Sequence, residues 1–461
     1  MSTQTIPASS PLPDYLASAT PNPMANRAPW YKNTAPTFAG IFLWFIFWNE
    51  MSKNTLGVGG LMASLAGIAV GALICHFLFY LSPGLLGMKT GMPLYVVGTS
   101  TFGSTGGLIM PGFLMGALQF GWLGVNAYGS AQALREAFAG DETMFYILAV
   151  LWAVAAAFVG LKGIQYVAGI ATYLPIIPLA VLLIGLYYFG ASAFSYTPKV
   201  DVTAAGGAQA AFFGIIGAIV GFFGTAGAAG VDFGTNSRDA RDVKMGGVVG
   251  VIIAILITAS ASLLIVAGAR ASGAIGEDIV LATDALKAKL PTNLYRAIMI
   301  GLPIAAFPSA CFSSFIAANS FKTVMPRINP VISVGVGTVV SIILAVSGYA
   351  GQLASVFGII GASFGPICGA MTADYLLNGR RWSGPRAGFN PAGWVSWAVG
   401  FLVGVTPQLN ALGDRFPALA SIPAIPAAPV AAYVVGFVLY ALLYKAGLKT
   451  AVLHMPQRID V

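Results

Sequence analysis

Apolar stretches long enough to cross a bilayer alternate with short polar connections from residue 36 to residue 446. A membrane core takes about 20 apolar residues per helix. On that ruler the pattern predicts twelve spans, near 36–59, 61–82, 104–133, 143–161, 164–190, 208–233, 245–269, 295–320, 328–348, 353–377, 391–411 and 423–446. The connections leave no room for a separate soluble catalytic domain. One of them, 270–295, mixes charges with apolar residues at helical spacing. It predicts one or two short helices lying over the outer mouth rather than a thirteenth span.

Two spans carry interruptions. The sixth contains GIIGAIVGFFGTAGAAGVDFG over 214–234, seven of whose residues are Gly, with Thr225 near the middle. Each Gly in a helix interior costs about 0.5–1 kcal/mol against Ala, so either the helix breaks or the glycines form a close packing face. The first span runs from FAGIFLWFIFW into Asn49, Glu50, Ser52, Lys53 and Asn54. Interruptions five spans apart point to an inverted-repeat transporter whose paired broken helices meet at a midplane site. That pattern favours a break near Gly224.

Composition agrees and excludes other classes. With 57% hydrophobic and 8% charged residues, the chain is a polytopic membrane protein, since soluble domains carry about 25% charge. The net charge of +8 reads as basic cytoplasmic loops, so the expected surroundings are a lipid bilayer, with no nucleic acid and no obligate protein partner. Of the 23 Lys and Arg residues, fifteen fall on the inner side and eight on the outer if both termini are cytoplasmic, which supports a multi-pass protein of the cell inner (cytoplasmic) membrane. Residues 1–35 are polar and Pro-rich without a signal-peptide core, and are expected to be a disordered cytoplasmic tail. Residues 447–461 form a second cytoplasmic tail. Cys75, Cys311 and Cys368 are far apart in apolar runs, and His76 and His454 are isolated. The chain therefore offers no disulfide framework, no His-based metal centre and no enzymatic constellation.

Candidate chemistry lies inside the spans. Gln119 and Trp122 share a helical face in span three; an amide and a flat indole suit a planar, hydrogen-bonding ring, and packing is the bland alternative. Phe222, Phe223, Gly224 and Thr225 surround the expected break. Asp232 reads as a structural carboxylate paired with Arg238 or Arg241. Span eight carries Pro303, Pro308 and the hydroxyls of Ser309, Ser313 and Ser314, a set of hard oxygens for a small cation or of helix-bonded serines. Glu50 is an acidic residue in the outer half of a span, placed either for proton coupling or for a vestibule pair with Lys53.

QFGWLG in span three, GFFGTAGAAGVDF in span six, GMKTGMP after span two and TADYLLNGRRW after span ten resemble, in order, segments of bacterial cytosine permeases. These belong to the nucleobase–cation symporter family. The resemblance implies an all-α, LeuT-like fold: inverted repeats at 36–190 and 208–377, followed by two C-terminal helices at 391–446. It also implies alternating access around a site in which Trp122 stacks on the substrate, Gln119 bonds its edge, and Phe223 and Thr225 line the break. A sodium ion would bind near Phe42, Phe45 or Ile46 and the hydroxyls around Pro308 and Ser309. Two departures alter this picture. Ala305 stands where cytosine permeases have a polar Asn, and Pro308 and Ser309 where they have threonines, which removes a partner for the substrate edge and weakens the sodium site against proton coupling. The expected function is a cation symporter, without a cofactor and coupled to sodium or a proton, that imports a small nucleobase-like heterocycle. A receptor or an uncoupled facilitator on the same fold is the alternative.

Overall fold

The computed structural model describes residues 12–33, 40–163, 167, 170–171, 173–198, 206–279 and 281–455. Among them every extended element is helical, and the helices follow the apolar runs. Eight are long and apolar enough to cross a membrane: α2 (Leu56–Thr90), α3 (Leu108–Phe138), α4 (Glu142–Lys162), α6 (Gly207–Ala228), α7 (Ala240–Ala271), α8 (Thr292–Val324), α10 (Leu353–Leu377) and α12 (Ala428–Lys445). Shorter apolar helices fill the remaining runs: α5 (Ile176–Phe189), α9 (Pro330–Val346) and α11 (Pro391–Gly404). The aromatic helix α1 (Ile41–Asn54) stands in the first run. Residues 36–39, where the first predicted span begins, and 164–166, where the fifth begins, lie outside the described residues.

The helices pack as two groups. In one, α2 lies along α6 and α7, and α1 contacts α7; in the other, α3 packs on α8 and α9, with α4 against α3, α8 and α9. α10 packs on α6, and it also packs on α11 and α12. A buried carboxylate secures this last contact. Asp374 of α10 accepts bonds from Tyr440 of α12 and Ser100 of the short helix Thr99–Phe102, each at 2.7 Å, and from Asn378 at 3.0 Å.

The sixth run does not break at Gly224. α6 is helical from Gly207 to Ala228 and yields only at Ala229, before a short helix Gly230–Thr235. Its glycines are contact points instead. A Cβ on Gly221 would lie 2.3 Å from the Phe357 carbonyl oxygen of α10, one on Gly227 2.7 Å from Phe79 Cβ of α2, and one on Gly234 2.1 Å from the Gly84 oxygen. Backbones this close tolerate no side chain, so the packing-face reading holds for this stretch. The polar residues of the first run do not break their helix either. α1 continues through Asn49 and Glu50 to Asn54, and the chain turns at Thr55 (φ −127°, ψ −71°). Pro303 and Pro308 are likewise accommodated within a continuous α8.

Residues 12–33 and 447–455 lie at one end of the bundle, the terminal face. Leu453 N–H bonds the Pro385 oxygen at 2.7 Å, and Arg386 bonds the Thr450 oxygen. The expected disordered tail is folded over residues 12–33. Leu16 is fully buried, and Tyr15 bonds the Ser104 oxygen. Arg27 reaches the Met88 oxygen at 2.7 Å, and Trp30 N–H bonds Asp242 at 3.0 Å. Its Asn22 and Ala28 amides bond the Gly91 and Asn236 oxygens, backbone partners far away in sequence that local composition does not encode. At the opposite end, the loop face, the 270–295 segment forms the 3-10 helix Ala282–Ala288. There Arg270 bonds Ser52 at 2.8 Å and pairs with Glu277.

Two expected ion pairs are re-partnered. Asp232 accepts from Leu94 N–H at 2.9 Å, while Arg238 goes to Asp242 at 2.7 Å. Lys53 pairs with Asp278 of the loop-face segment and not with Glu50.

Candidate functional site

An aromatic cluster forms where α1, α3, α6 and α10 converge, between the two helix groups. Trp122 of α3 donates its indole N–H to Thr225 Oγ1 of α6 at 3.3 Å. Phe222 meets Trp122 edge-on at 5.1 Å and stacks on Trp44 of α1 at 4.8 Å, with 24° between the rings. Phe357 of α10 lies 5.4 Å from Trp122 and 5.0 Å from Phe222. Phe223 stands 6.3 Å from Trp44, and Phe47 stacks on Phe357 at 5.9 Å. Each such pair contributes about 0.5–1.5 kcal/mol beyond its area. A flat ligand could replace one of these rings at comparable energy.

Polar groups are few and placed around this cluster. Gln119 is buried one turn from Trp122, but its amide donates to Met115 Sδ at 3.6 Å rather than toward the rings. Asn126, one turn on the other side, bonds the Trp122 carbonyl at 2.9 Å, and its own oxygen accepts from Ser309 of α8 at 3.2 Å. Ala305 is buried on α8 one turn before Ser309. Gly224 packs close to Gly361 of α10, where a Cβ would sit 3.4 Å from the Gly361 Cα. Aromatic walls with a small number of amides and hydroxyls are the make-up of a pocket for a planar, hydrogen-bonding molecule.

Residues 32–436 match the family described as permeases for cytosine/purines, uracil, thiamine and allantoin. The chain belongs to this family. The cytosine permease of Escherichia coli strain K12 is 26% identical over 359 residues, covering 76% of this chain and 78% of the relative. The cytosine permease of Escherichia coli O157:H7 matches to the same extent. Among solved structures, Mhp1 in its inward-facing conformation superposes with a TM-score of 0.67 at 18% identity over 96% of each chain. Mhp1 closed with bromovinylhydantoin bound, described as a nucleobase-cation-symport-1 family transporter, gives 0.62 at 17% identity over 93% of each. These likenesses establish the fold that the sequence predicted, and membership of the permease family makes the chain a membrane transporter.

Within this permease the sequence-predicted residues fall into three places. Trp122, Phe222, Phe223 and Thr225 come together in the cluster, with Gln119, Gly224 and Ala305 on its margins. Phe42, Phe45 and Ile46 are buried on α1, and a Cβ on Gly129 of α3 would lie 2.0 Å from Ile46 Cδ1. These three lie inside an uninterrupted helix, so their carbonyls are engaged by amides one turn on, and the Ser309 hydroxyl is directed at Asn126 and Ala306. In this geometry the oxygens named for sodium are thus occupied by hydrogen bonds within the protein. Glu50 is apart from both sets: it lines a cavity of about 690 Å³ at the loop face, together with Asn54, Gln209 and Gln408.

Asn126, Trp44, Phe47 and Phe357, all in the cluster, were not anticipated. Asn126 is four positions after Trp122, and that i, i+4 spacing is the signal that could have found it. Trp44 and Phe357 carry no comparable signal, because an aromatic residue in an apolar run looks the same whether it packs or binds. A second cavity, about 400 Å³, opens at the terminal face between Tyr95, Asp232, Asn319 and Lys322 and reaches Met115, the residue that holds Gln119.

Proposed function

We propose that this permease is a secondary active carrier that imports a nucleobase or a related small nitrogen heterocycle by alternating access, driven by a cation gradient. The observation that carries the reading is the position of the Trp122–Thr225 bond. It joins α3 of one helix group to α6 of the other, so a ring that inserts beside Trp122 acts on the contact between the two groups. Trp122 and Phe222 supply stacking faces, Asn126 and Gln119 supply amide groups for the ring edge, and Ala305 leaves one edge without a side-chain partner. That pattern favours a ring less polar than cytosine along one side.

In this reading the repeats are 36–190 and 208–377, and the terminal face is cytoplasmic, consistent with its excess of Lys and Arg. The cavity that reaches Met115 is the exit route. The coupling cation is a sodium ion or a proton. A sodium site would need the α1 carbonyls near Phe42 and Ile46 freed from their helix. The proton reading rests on Glu50, which lines a cavity while Lys53 forms its ion pair with Asp278. Replacing sodium by an impermeant cation at fixed pH separates the two. Persistent uptake that collapses with the pH gradient supports the proton, and loss of uptake on sodium removal supports sodium. The carrier reading itself is tested by Trp122→Ala and Asn126→Ala, which are expected to abolish uptake in inserted protein.

A further inference from the structure

Two acceptor atoms in the wall of the loop-face cavity stand without a hydrogen-bond donor among the described residues. Among the described residues no donor reaches Glu50 Oε2 or Gln408 Oε1, and both atoms are shielded from solvent. Glu50 belongs to α1 and Gln408 to the short helix Thr406–Ala411, so two separate elements place unpartnered oxygen atoms in the wall of one cavity. The Ala354 amide and the charge of Lys53, itself paired with Asp278, act on the Glu50 carboxyl but leave Oε2 without a hydrogen bond. A buried acceptor without a partner costs about 1–3 kcal/mol, more when it is charged, so the arrangement is poised for a ligand that brings donors.

The cavity is built for that purpose in two further respects. Gly358 of α10 makes room for the Gln408 amide, since a Cβ there would fall 1.8 Å from Gln408 Nε2. Asn54 and Gln209 add side-chain amides, while Phe213 and Pro407 supply apolar wall. At about 690 Å³ the space is that of a small-molecule site. It is also separate from the aromatic cluster. On α6 the cavity ends at Ala218, one helical turn before Phe222, a rise of roughly 6 Å; on α10, Phe357 faces the cluster while Gly358 faces the cavity.

We propose that this antechamber is a second binding site, for a planar heterocycle carrying an amidine-like pair of N–H groups, protonated or strongly polarised. Its N–H edge pairs with the Glu50 carboxylate in the two-pronged manner of charge-assisted bonds, and Gln408 Oε1 accepts a further N–H. On the carrier reading, the antechamber selects such rings at the loop face before they reach Trp122, but the site itself does not depend on transport.

The test uses the purified full-length protein and benzamidine as the probe, with binding followed by thermophoresis and by thermal stabilisation. Wild type and Trp122→Ala are expected to bind benzamidine alike. Glu50→Gln is expected to weaken binding at least about tenfold, the worth of one charge-assisted hydrogen bond. Gly358→Ala, which displaces the Gln408 amide, is expected to weaken it about threefold to tenfold; both variants are first checked for wild-type unfolding temperature without probe. If Glu50→Gln misfolds, Gly358→Ala and Gln408→Leu carry the test. Undetectable binding to wild type, equal affinity across all the antechamber variants, or loss of binding in Trp122→Ala overturns the proposal. Binding that depends on Glu50 but not Trp122, in a protein that accumulates no heterocycle, would uphold this site while removing the carrier reading.

Discussion

Trp122 and Thr225 are bonded across the boundary between the two helix groups, indole N–H to hydroxyl oxygen at 3.3 Å. Trp122→Phe keeps an aromatic face and deletes the donor, and Thr225→Val keeps the shape and deletes the acceptor. A double-mutant cycle on the ligand-free protein, read by thermal unfolding in detergent, is expected to give a coupling of about 0.5–1.5 kcal/mol. Strict additivity would mean that the bond contributes nothing to holding the groups together.

Asn126 connects the cluster to α8 through Ser309. Asn126→Leu fills similar volume, removes both amide functions and leaves the Ser309 hydroxyl with its bond to Ala306. Uptake is expected to fall more than about tenfold, the loss of one buried hydrogen bond to substrate, while membrane insertion is retained. Ser309→Ala is expected to be milder, because it removes a bond to Asn126 and no group facing the rings. Wild-type uptake by Asn126→Leu would remove this residue from the site.

The glycines of α6 differ in what an added methyl would meet, and that difference is measurable. Gly221→Ala places a Cβ 2.3 Å from a backbone oxygen of α10, whereas at Gly224 the nearest atom is 3.4 Å away. Gly221→Ala is expected to destabilise the protein by about 1–3 kcal/mol through overpacking. Gly224→Ala is expected to be close to neutral, since the steric cost is small and Ala is the better helix former. A large loss at Gly224 with none at Gly221 would restore a broken helix at that point.

Asp374 gathers three donors in a buried setting. Asp374→Asn presents an amide N–H₂ to at least one group that also donates, and is expected to lower stability by about 1–3 kcal/mol. Thermal unfolding checks this, and Tyr440→Phe, which removes one donor, should cost less.

The apolar runs made the helices legible because a bilayer core imposes one length on all of them; the Gly-rich and polar positions of runs six and one pointed to inverted repeats, and the LeuT-like fold was implied by the resemblance of four segments to cytosine permeases. The meaning of those interruptions was not legible. Gly221 and Gly227 serve close approach to α10 and α2, and a glycine that permits a contact has the same sequence signature as one that permits a bend. Lys53 finds Asp278 and Asp232 finds the Leu94 amide, partners more than a hundred residues away that spacing cannot supply. Residues 12–33 read as a tail because their composition is polar and Pro-rich. Their order comes from the Met88 oxygen of α2, the Asn236 oxygen before α7 and the Asp242 carboxylate of α7, which composition does not describe. In the site, Trp122 stood out by its polar neighbour Gln119, yet Asn126 is the amide that ties Trp122 to α8.

The most direct test is uptake of labelled cytosine, uracil, hypoxanthine, allantoin and hydantoin into proteoliposomes under an imposed sodium or pH gradient. The expected result is that wild type concentrates at least one of these rings above its external level and Trp122→Ala concentrates none. Equilibration without accumulation for every ring, or equal accumulation by Trp122→Ala, would contradict a cation-driven carrier with its substrate at Trp122.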